Sequence, residues 1–124
     1  ATLTGAAQRA IGKEGIVSMG NANQKELDAM SLAGEQVYER TAQFPFWDEY
    51  GDQVKSKIAD LKNLGGPTAG AITAGKFLEH LTDYPYIHLD IAGPAFVTSK
   101  WNYRGDGGTG VGVRLLYQFL KNKV

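Results

Sequence analysis

Two segments of the chain carry the hydrophobic pattern of a β-strand. Residues 15–20 form a short apolar run between two glycines, which is typical of a buried strand. Residues 86–91 alternate in polarity, so this strand should have one apolar face and one polar face. Ile87, Leu89 and Ile91 make up the apolar face, and Tyr86, His88 and Asp90 make up the polar face.

Three other segments carry the pattern of a helix. Asn23 and Glu26 resemble a capping pair and precede apolar residues at helical spacing, which predicts a helix from about 24 to 38. A second amphipathic pattern predicts a C-terminal helix over residues 111–120, followed by lysines where the helix dipole favours positive charge. The predicted helix at 69–78 begins with small residues, so we expect it to pack closely against a sheet or a site loop.

The pattern is less regular in the remaining segments. Residues 41–47 are predicted to form a loop, because Pro45 lacks an amide donor and biases its neighbour towards extended geometry. Apolar residues between 50 and 61 share one face if that segment is helical, and the glycines and proline at 65–67 would end the helix. Residues 1–6 resemble the tail of a strand that enters a glycine turn, so we expect further polypeptide upstream.

Strands that alternate with helices predict an α/β layer fold with a largely parallel sheet. The chain contains no internal repeat, no low-complexity tract and no proline- or serine-rich linker. Residues 1–124 are therefore predicted to form one structural unit.

Composition and charge exclude several classes of function. The 124 residues are 43% apolar and 21% charged, which is ordinary for a globular domain. The formal net charge is zero, so no long-range field would attract nucleic acid or an anionic membrane, and no apolar run approaches the roughly 20 residues of a membrane helix. The absence of cysteine excludes a disulfide framework and a thiol nucleophile.

A glycine-rich segment at residues 105–110 matches the pattern G-x-G-x-x-G and leads into the predicted C-terminal helix. A dinucleotide site also needs a following strand and an acidic residue about 20 positions on, and too few residues follow Gly110 to supply them. One alternative keeps this loop as an anion-binding site. Under it the chain is a non-catalytic α/β binding or scaffold module.

No complete catalytic constellation is visible in the sequence. His80 and His88 are too few for a metal cage, and the chain has no G-x-S-x-G nucleophile motif. His88 could couple to Asp90 on the same strand face, although a hydrogen-bonded structural pair is the commoner explanation. The acidic residues at 48, 49 and 52 suit the start of a helix, where the dipole favours negative charge.

Three separated blocks together resemble the C-terminal third of the leucyl aminopeptidase family. They are A-T-L-T-G-A at residues 1–6, I-A-D-L-K-N-L-G at 58–65 with A-G-A-I-T-A at 69–74, and H-L-D-I-A-G at 88–93. W-D-E-Y at 47–50 and G-T-G-V-G-V-R-L-L at 108–116 also fit, so the resemblance spans nearly the whole chain.

The resemblance implies a partial three-layer sandwich, with helices on both faces of a mostly parallel sheet, as the C-terminal portion of a zinc-peptidase-like domain. Enzymes of the family use two divalent metal ions, commonly zinc, manganese or magnesium, to remove the N-terminal residue from peptides.

The metal ligands and catalytic residues of the family lie upstream of the A-T-L-T-G-A block, several of them in an N-T-D-A-E-G-R-type motif that does not occur here. The resemblance therefore assigns no metal ligand and no catalytic residue to this chain, and it implies inactivity of the chain alone. It also implies a cytoplasmic location, a homo-oligomer that is a hexamer in the family, and the upstream part of the same domain as a partner.

The resemblance does assign substrate-binding residues to this chain, and they are Thr2, Leu3, Gly5, Leu64, Ala92 and Ala95. The first three would orient a peptide beside the metals, and the leucine at 64 would border the site for its second residue. The two alanines would line a pocket for an apolar N-terminal side chain of leucine or methionine size. Pro94 and Phe96 depart from the commoner residues of the family, which affects the expected width of this pocket.

Overall fold

The computed structural model, which describes residues 1–2 and 5–124, places a small sheet between two layers of helices. The strands are β1 (Ile16–Gly20), β2 (Thr41–Gln43) and β3 (Ile87–Asp90), with a separate ribbon of β4 (Phe96–Val97) and β5 (Gly107–Gly108). The helices are α1 (Ala6–Ile11), α2 (Gln24–Val37), α3 (Gly70–Glu79) and α4 (Val113–Lys121), and a 3-10 helix spans Asp48–Val54.

The three-stranded sheet has the order β2-β1-β3 and is mixed. β1 pairs in parallel with β2 and antiparallel with β3, where Val17 lies opposite Asp90. The α/β class is confirmed, and the sheet is mixed where the order of elements suggested a largely parallel one. The reason is that Tyr86 enters the sheet beside Asn21, where its amide donates to the Asn21 side chain at 2.7 Å, so β3 starts at the C-terminal end of β1.

The helices cover both faces of the sheet, as a three-layer arrangement requires. One face carries an apolar cluster built from α1, β1 and α3, whose buried members are Ala7, Val17, Met19, Ala71 and Ile72. The opposite face packs against α2 and α4 through Ile16, Met30, Ala33 and Leu115. The alternation in β3 follows these layers, since Ile87 and Leu89 face the second cluster while His88 and Asp90 are buried on the side of the first.

Most predicted elements are confirmed by the structure. The Asn23 side chain accepts a hydrogen bond from the Glu26 amide at 3.0 Å at the start of α2, as the capping pair predicted. Gly75 shows that α3 packs closely, because a Cβ at this position would lie 3.1 Å from Met19 Sδ and 3.1 Å from a Phe46 ring carbon.

Three segments differ from the sequence expectations. Residues 41–47 were predicted to be a loop, yet Thr41–Gln43 form the edge strand β2, which is too short and too exposed to show an alternating pattern. The helical pattern from 50 to 61 extends only to Val54, and Ile58 is 98% exposed. The predicted turn after residue 5 opens a short helix, α1, which buries Ala7.

Candidate functional site

The turn after β3 carries two of the predicted substrate residues, Ala92 and Ala95, and both are half-buried. The Ala95 amide donates to the Ile91 carbonyl at 2.9 Å, which closes the turn. The Asp90 side chain accepts from the Ala92 amide at 3.0 Å, which fixes the beginning of the turn to the strand. The structure therefore presents the two alanines on a hydrogen-bonded turn at the end of the sheet.

Gly93 holds this turn against the segment that follows α1. A Cβ at Gly93 would lie 2.0 Å from the Gly12 carbonyl oxygen, so the two backbones are in direct contact. Gly12 itself has a φ of +71°, in the left-handed region that glycine tolerates. Two glycines are therefore needed where the end of α1 meets the turn.

The first residues lie beside β3 at the same end of the sheet. The Ala1 amine donates to the Leu89 carbonyl, and the Ile91 amide donates to the Ala1 carbonyl at 2.7 Å, which is the bonding pattern of a parallel ladder. This matches the expected strand tail. Thr2 continues from this pairing beside the turn and is exposed, whereas Leu3, the next predicted substrate residue, lies outside the described residues.

Leu64 lies at the mouth of a cavity of about 180 Å³ between the 54–66 segment and α3. The Leu64 side chain is 73% exposed, so it borders the cavity without filling it. The cavity is lined by Val54, Asn63, Leu64, Gly65, Gly66, Gly70, Thr73, Ala74 and Phe77. This wall is mostly apolar, which suits an apolar side chain.

Gly5, the remaining predicted substrate residue, is exposed at the start of α1. The residue after it, Ala6, contacts the first turn of α3, where a Cβ on Gly70 would lie 3.1 Å from Ala6 Cβ. Helix α1 therefore joins the two parts of the predicted site. Its first residue packs beside the cavity of Leu64, and Gly12 beyond its other end packs on the turn of Ala92.

The polar face of β3 is buried among the first apolar cluster. The Tyr86 hydroxyl lies 3.0 Å from His88 Nδ1, and neither His88 Nε2 nor Asp90 Oδ2 has a hydrogen-bond partner in the described part of the chain. Burial lowers the pKa of His88 to about 4. Burial also raises the pKa of Asp90, against the opposing effect of the Ala92 amide, and raises the pKa of Tyr86 to about 12. His88 is therefore a neutral core histidine above pH 5, and it does not bond directly to Asp90.

The described residues do not offer a metal site. In residues 1–2 and 5–124, no three His, Asp or Glu side chains come together in a way that could hold a metal ion. The Asp48 side chain is fully exposed and lies 3.5 Å from the buried Lys76 ammonium, so Asp48 behaves as an ordinary surface carboxylate.

In the same described ranges, no helix is long and apolar enough to span a membrane.

The glycine-rich segment has a different role from the predicted anion-binding loop. Gly107 and Gly108 form β5 and pair with Val97 and Phe96. The amide groups of Gly112 and Leu115 at the start of α4 donate to Glu39 Oε2, each at 3.0 Å, and Arg114 Nε donates to Glu39 Oε1 at 3.2 Å. A carboxylate of the protein itself thus occupies the helix end that a ligand anion would need.

The sequence reasoning missed two residues with clear structural roles, and they are Glu39 and Thr109. The Glu39 side chain is 2% exposed and bonds to residues more than 70 positions away, so no local pattern identifies it. Thr109 lies within the glycine-rich segment, and its amide and hydroxyl both donate to the turn after β3. Its only signal is a single hydroxyl-bearing residue in a run of glycines.

Comparison with known proteins relates the chain to one family. The model of the cytosol aminopeptidase family, catalytic domain, matches residues 1–117. A relative from Rhodopirellula baltica is 49% identical over 98% of the chain, and one from a Geobacter species is 45% identical over 99%; both carry the name probable cytosol aminopeptidase. The chain spans 24% and 25% of these relatives, about a quarter of their length.

Solved structures show the same relationship. The bottromycin maturation enzyme BotP in complex with Mn superposes with a TM-score of 0.88 and 27% identity, over 97% of this chain and 27% of that one. A mutant of tomato leucine aminopeptidase superposes with a TM-score of 0.85 and 30% identity, over 96% of this chain and 23% of that one.

Proposed function

The chain belongs to the cytosol aminopeptidase family, and from this membership we propose that it is the C-terminal part of a metal-dependent aminopeptidase that removes N-terminal residues from peptides. Its contribution is the wall of the substrate cleft. The observation that carries this proposal is the turn at Ala92 and Ala95, which hydrogen bonds close at the end of the sheet where Ala1 pairs with Ile91.

Each part of the wall has chemistry that suits one part of a peptide. Small side chains at Ala92 and Ala95 leave room for an apolar N-terminal side chain, whose burial contributes roughly 1.5–3 kcal/mol. Thr2, Leu3 and Gly5 supply main-chain groups that orient the peptide, and the exposure of Thr2 and Gly5 supports this role.

The second residue of the peptide would contact a different part of the chain. The cavity beside Leu64 receives that side chain, and its mostly apolar lining supports an apolar preference.

The metal ions of the proposed enzyme are held by polypeptide outside this chain. The side chains in the described ranges do not fit a divalent metal ion, because no group of three carboxylates or imidazoles forms among them. Two divalent ions, zinc, manganese or magnesium, would polarise the scissile carbonyl and supply the attacking hydroxide. The role of residues 1–124 in the reaction is to bind and orient the peptide.

The location and assembly of the whole protein follow the same proposal. The names of the relatives support a cytosolic enzyme. We propose a homo-oligomer, a hexamer as the resemblance implies, with the upstream part of the same domain covering this chain.

The proposal is tested by separating the chain from the rest of the enzyme. Incubated with Mn²⁺ and leucine p-nitroanilide, the isolated 124-residue chain should release no nitroaniline, because it lacks metal ligands. A chimera in which this chain replaces the matching segment of the Rhodopirellula baltica relative should release nitroaniline when Mn²⁺ is present and lose that activity with EDTA. Activity of the isolated chain, or a folded chimera that binds Mn²⁺ but does not turn over, would contradict the proposal.

A further inference from the structure

The turn that carries Ala92 and Ala95 is fastened at both ends by side chains. Asp90 lies before the turn, is fully buried, and accepts a hydrogen bond from the Ala92 amide at 3.0 Å. Thr109 lies on the opposite side of the turn, where its amide donates to the Ala95 carbonyl at 3.0 Å. The Thr109 hydroxyl donates to the Pro94 carbonyl at 2.5 Å and lies 3.2 Å from the Ala95 carbonyl.

The hydroxyl of Thr109 also links the turn to α4. Thr109 Oγ1 accepts from the Val111 amide at 3.3 Å, so one side chain joins the turn to the segment that enters this helix. Two backbone groups, the Pro94 carbonyl and the Val111 amide, therefore bond to this single hydroxyl, whereas the Ala95 carbonyl also accepts from the Thr109 amide. A valine at 109 keeps the shape of threonine but offers none of these bonds.

The Thr109 hydroxyl matters because it is the side-chain group that bonds to the Pro94 carbonyl in the middle of the turn. Pro94 has no amide to donate, and the alanines carry no side-chain polar group. A pocket wall that moves by about 1 Å changes the fit of a bound side chain, and poor positioning is costly in catalysis. A side chain that fastens the turn therefore affects the fit of a substrate side chain bound against Ala92 and Ala95.

We infer that Thr109 is a positioning residue that fixes the specificity of the pocket for the N-terminal side chain, acting through the carbonyls of Pro94 and Ala95. This inference rests on the proposed function. It assigns the glycine-rich segment a role in substrate selection, through the hydrogen bonds that Thr109 makes to the turn.

The test compares Thr109→Val with Thr109→Ser in the full-length enzyme, using leucine and alanine p-nitroanilides. Thr109→Val should raise KM for the leucine substrate by about fivefold, the equivalent of one hydrogen bond, with kcat within twofold of the wild type. The preference for leucine over alanine should fall by a similar factor. Thr109→Ser keeps the hydroxyl and should restore both values.

The outcomes separate the inference from the function on which it rests. If Thr109→Val does not fold, Thr109→Ala removes the same hydroxyl without adding a methyl group and should give the same rise in KM. A folded, active variant without the hydroxyl that keeps the wild-type KM and the wild-type preference would overturn the inference alone. A wild-type enzyme that does not release leucine would overturn the proposed function instead.

Discussion

Glu39 is a buried residue whose carboxylate joins several polar groups at the start of α4. Its buried carboxylate accepts from two amides at the start of α4 and from Arg114, whose guanidinium also donates to the Tyr103 hydroxyl. Arg114 contacts the Tyr103 ring as well, with the guanidinium carbon 4.9 Å from the ring centroid. A buried carboxylate is tolerated only when its oxygens are bonded in this way, so Glu39 and α4 depend on each other.

Replacing Glu39 by glutamine should weaken α4 locally. Glutamine retains one acceptor oxygen but loses the charge that the helix dipole and Arg114 favour, at a cost of about 1–3 kcal/mol. Hydrogen–deuterium exchange of peptides covering α4 in the full-length protein should then be faster by about 5- to 150-fold, the factor that this free energy implies.

Glu26→Gln is the matched control for this prediction. Glu26 pairs with Lys123 at the surface, with both side chains about one-third or more exposed, so its loss should change exchange in α4 little. Unchanged exchange in Glu39→Gln would show that the carboxylate does not cap the helix.

Elements predicted from the sequence were correct where one local pattern decides the outcome. The strands β1 and β3 and the helices α2, α3 and α4 each bury a periodic apolar face, and Asn23 marks the start of α2 by a contact three residues away. The edge strand β2 and the short helix α1 depend instead on what they pack against. Thr41–Gln43 become a strand only because β1 lies beside them.

The site shows the same difference between features that a local pattern predicts and features that depend on long-range contacts. The resemblance located Ala92 and Leu64, and the structure adds their surroundings, which are the Asp90 side chain bonded to the Ala92 amide and the cavity beside Leu64. The bonds of Thr109 to Pro94 span 15 positions, and those of Glu39 to α4 span more than 70. No periodicity records contacts of this range, so their discovery needed the folded chain.

At the scale of the elements, the contact between Gly93 and Gly12 allows a direct test of the turn. Gly93→Ala places a methyl group 2.0 Å from a backbone oxygen that cannot rotate away, so the two segments must separate. We expect a loss of stability of about 1–3 kcal/mol and a raised KM for leucine p-nitroanilide. Thermal denaturation and steady-state kinetics of the full-length enzyme measure the two effects.

Gly108→Ala provides the comparison. A Cβ at Gly108 meets nothing within 4 Å, and the residue lies in the same glycine-rich segment as Thr109. This variant should match the wild type in both stability and KM. If Gly93→Ala behaves like Gly108→Ala, the close packing of the turn against α1 is not required for the pocket.

The whole molecule leaves an apolar surface uncovered between β3 and α4. Val113 and Leu116 are exposed on α4, and a groove of about 450 Å³ runs between them and the strand, where Ile87, Leu89 and Ile91 contribute apolar lining. An apolar surface of this kind, next to the edge of a sheet, favours association with another chain.

The isolated chain should therefore self-associate. Light scattering after size exclusion should show species larger than 13.4 kDa that increase with concentration. The double variant Val113→Lys, Leu116→Lys should reduce the amount of these larger species, because a charged side chain in the groove opposes burial of the groove in an interface. Leu81→Lys, at one of the exposed leucines outside the groove, is the control and should leave association unchanged. A chain that remains monomeric at all concentrations would contradict this prediction.

The pairing of the strands also determines the order in which parts of the chain can fold during synthesis. Val17 lies opposite Asp90, so the pairing of β1 with β3 closes a loop of most of the chain, while β1 meets β2 within a much shorter span. Closing the longer loop costs more entropy, and contacts of high sequence separation slow folding. During synthesis, β1, α2 and β2 can come together early, whereas the turn at Ala92 and Ala95 gains its contacts with Thr109 only after the segment that contains Thr109 has left the ribosome.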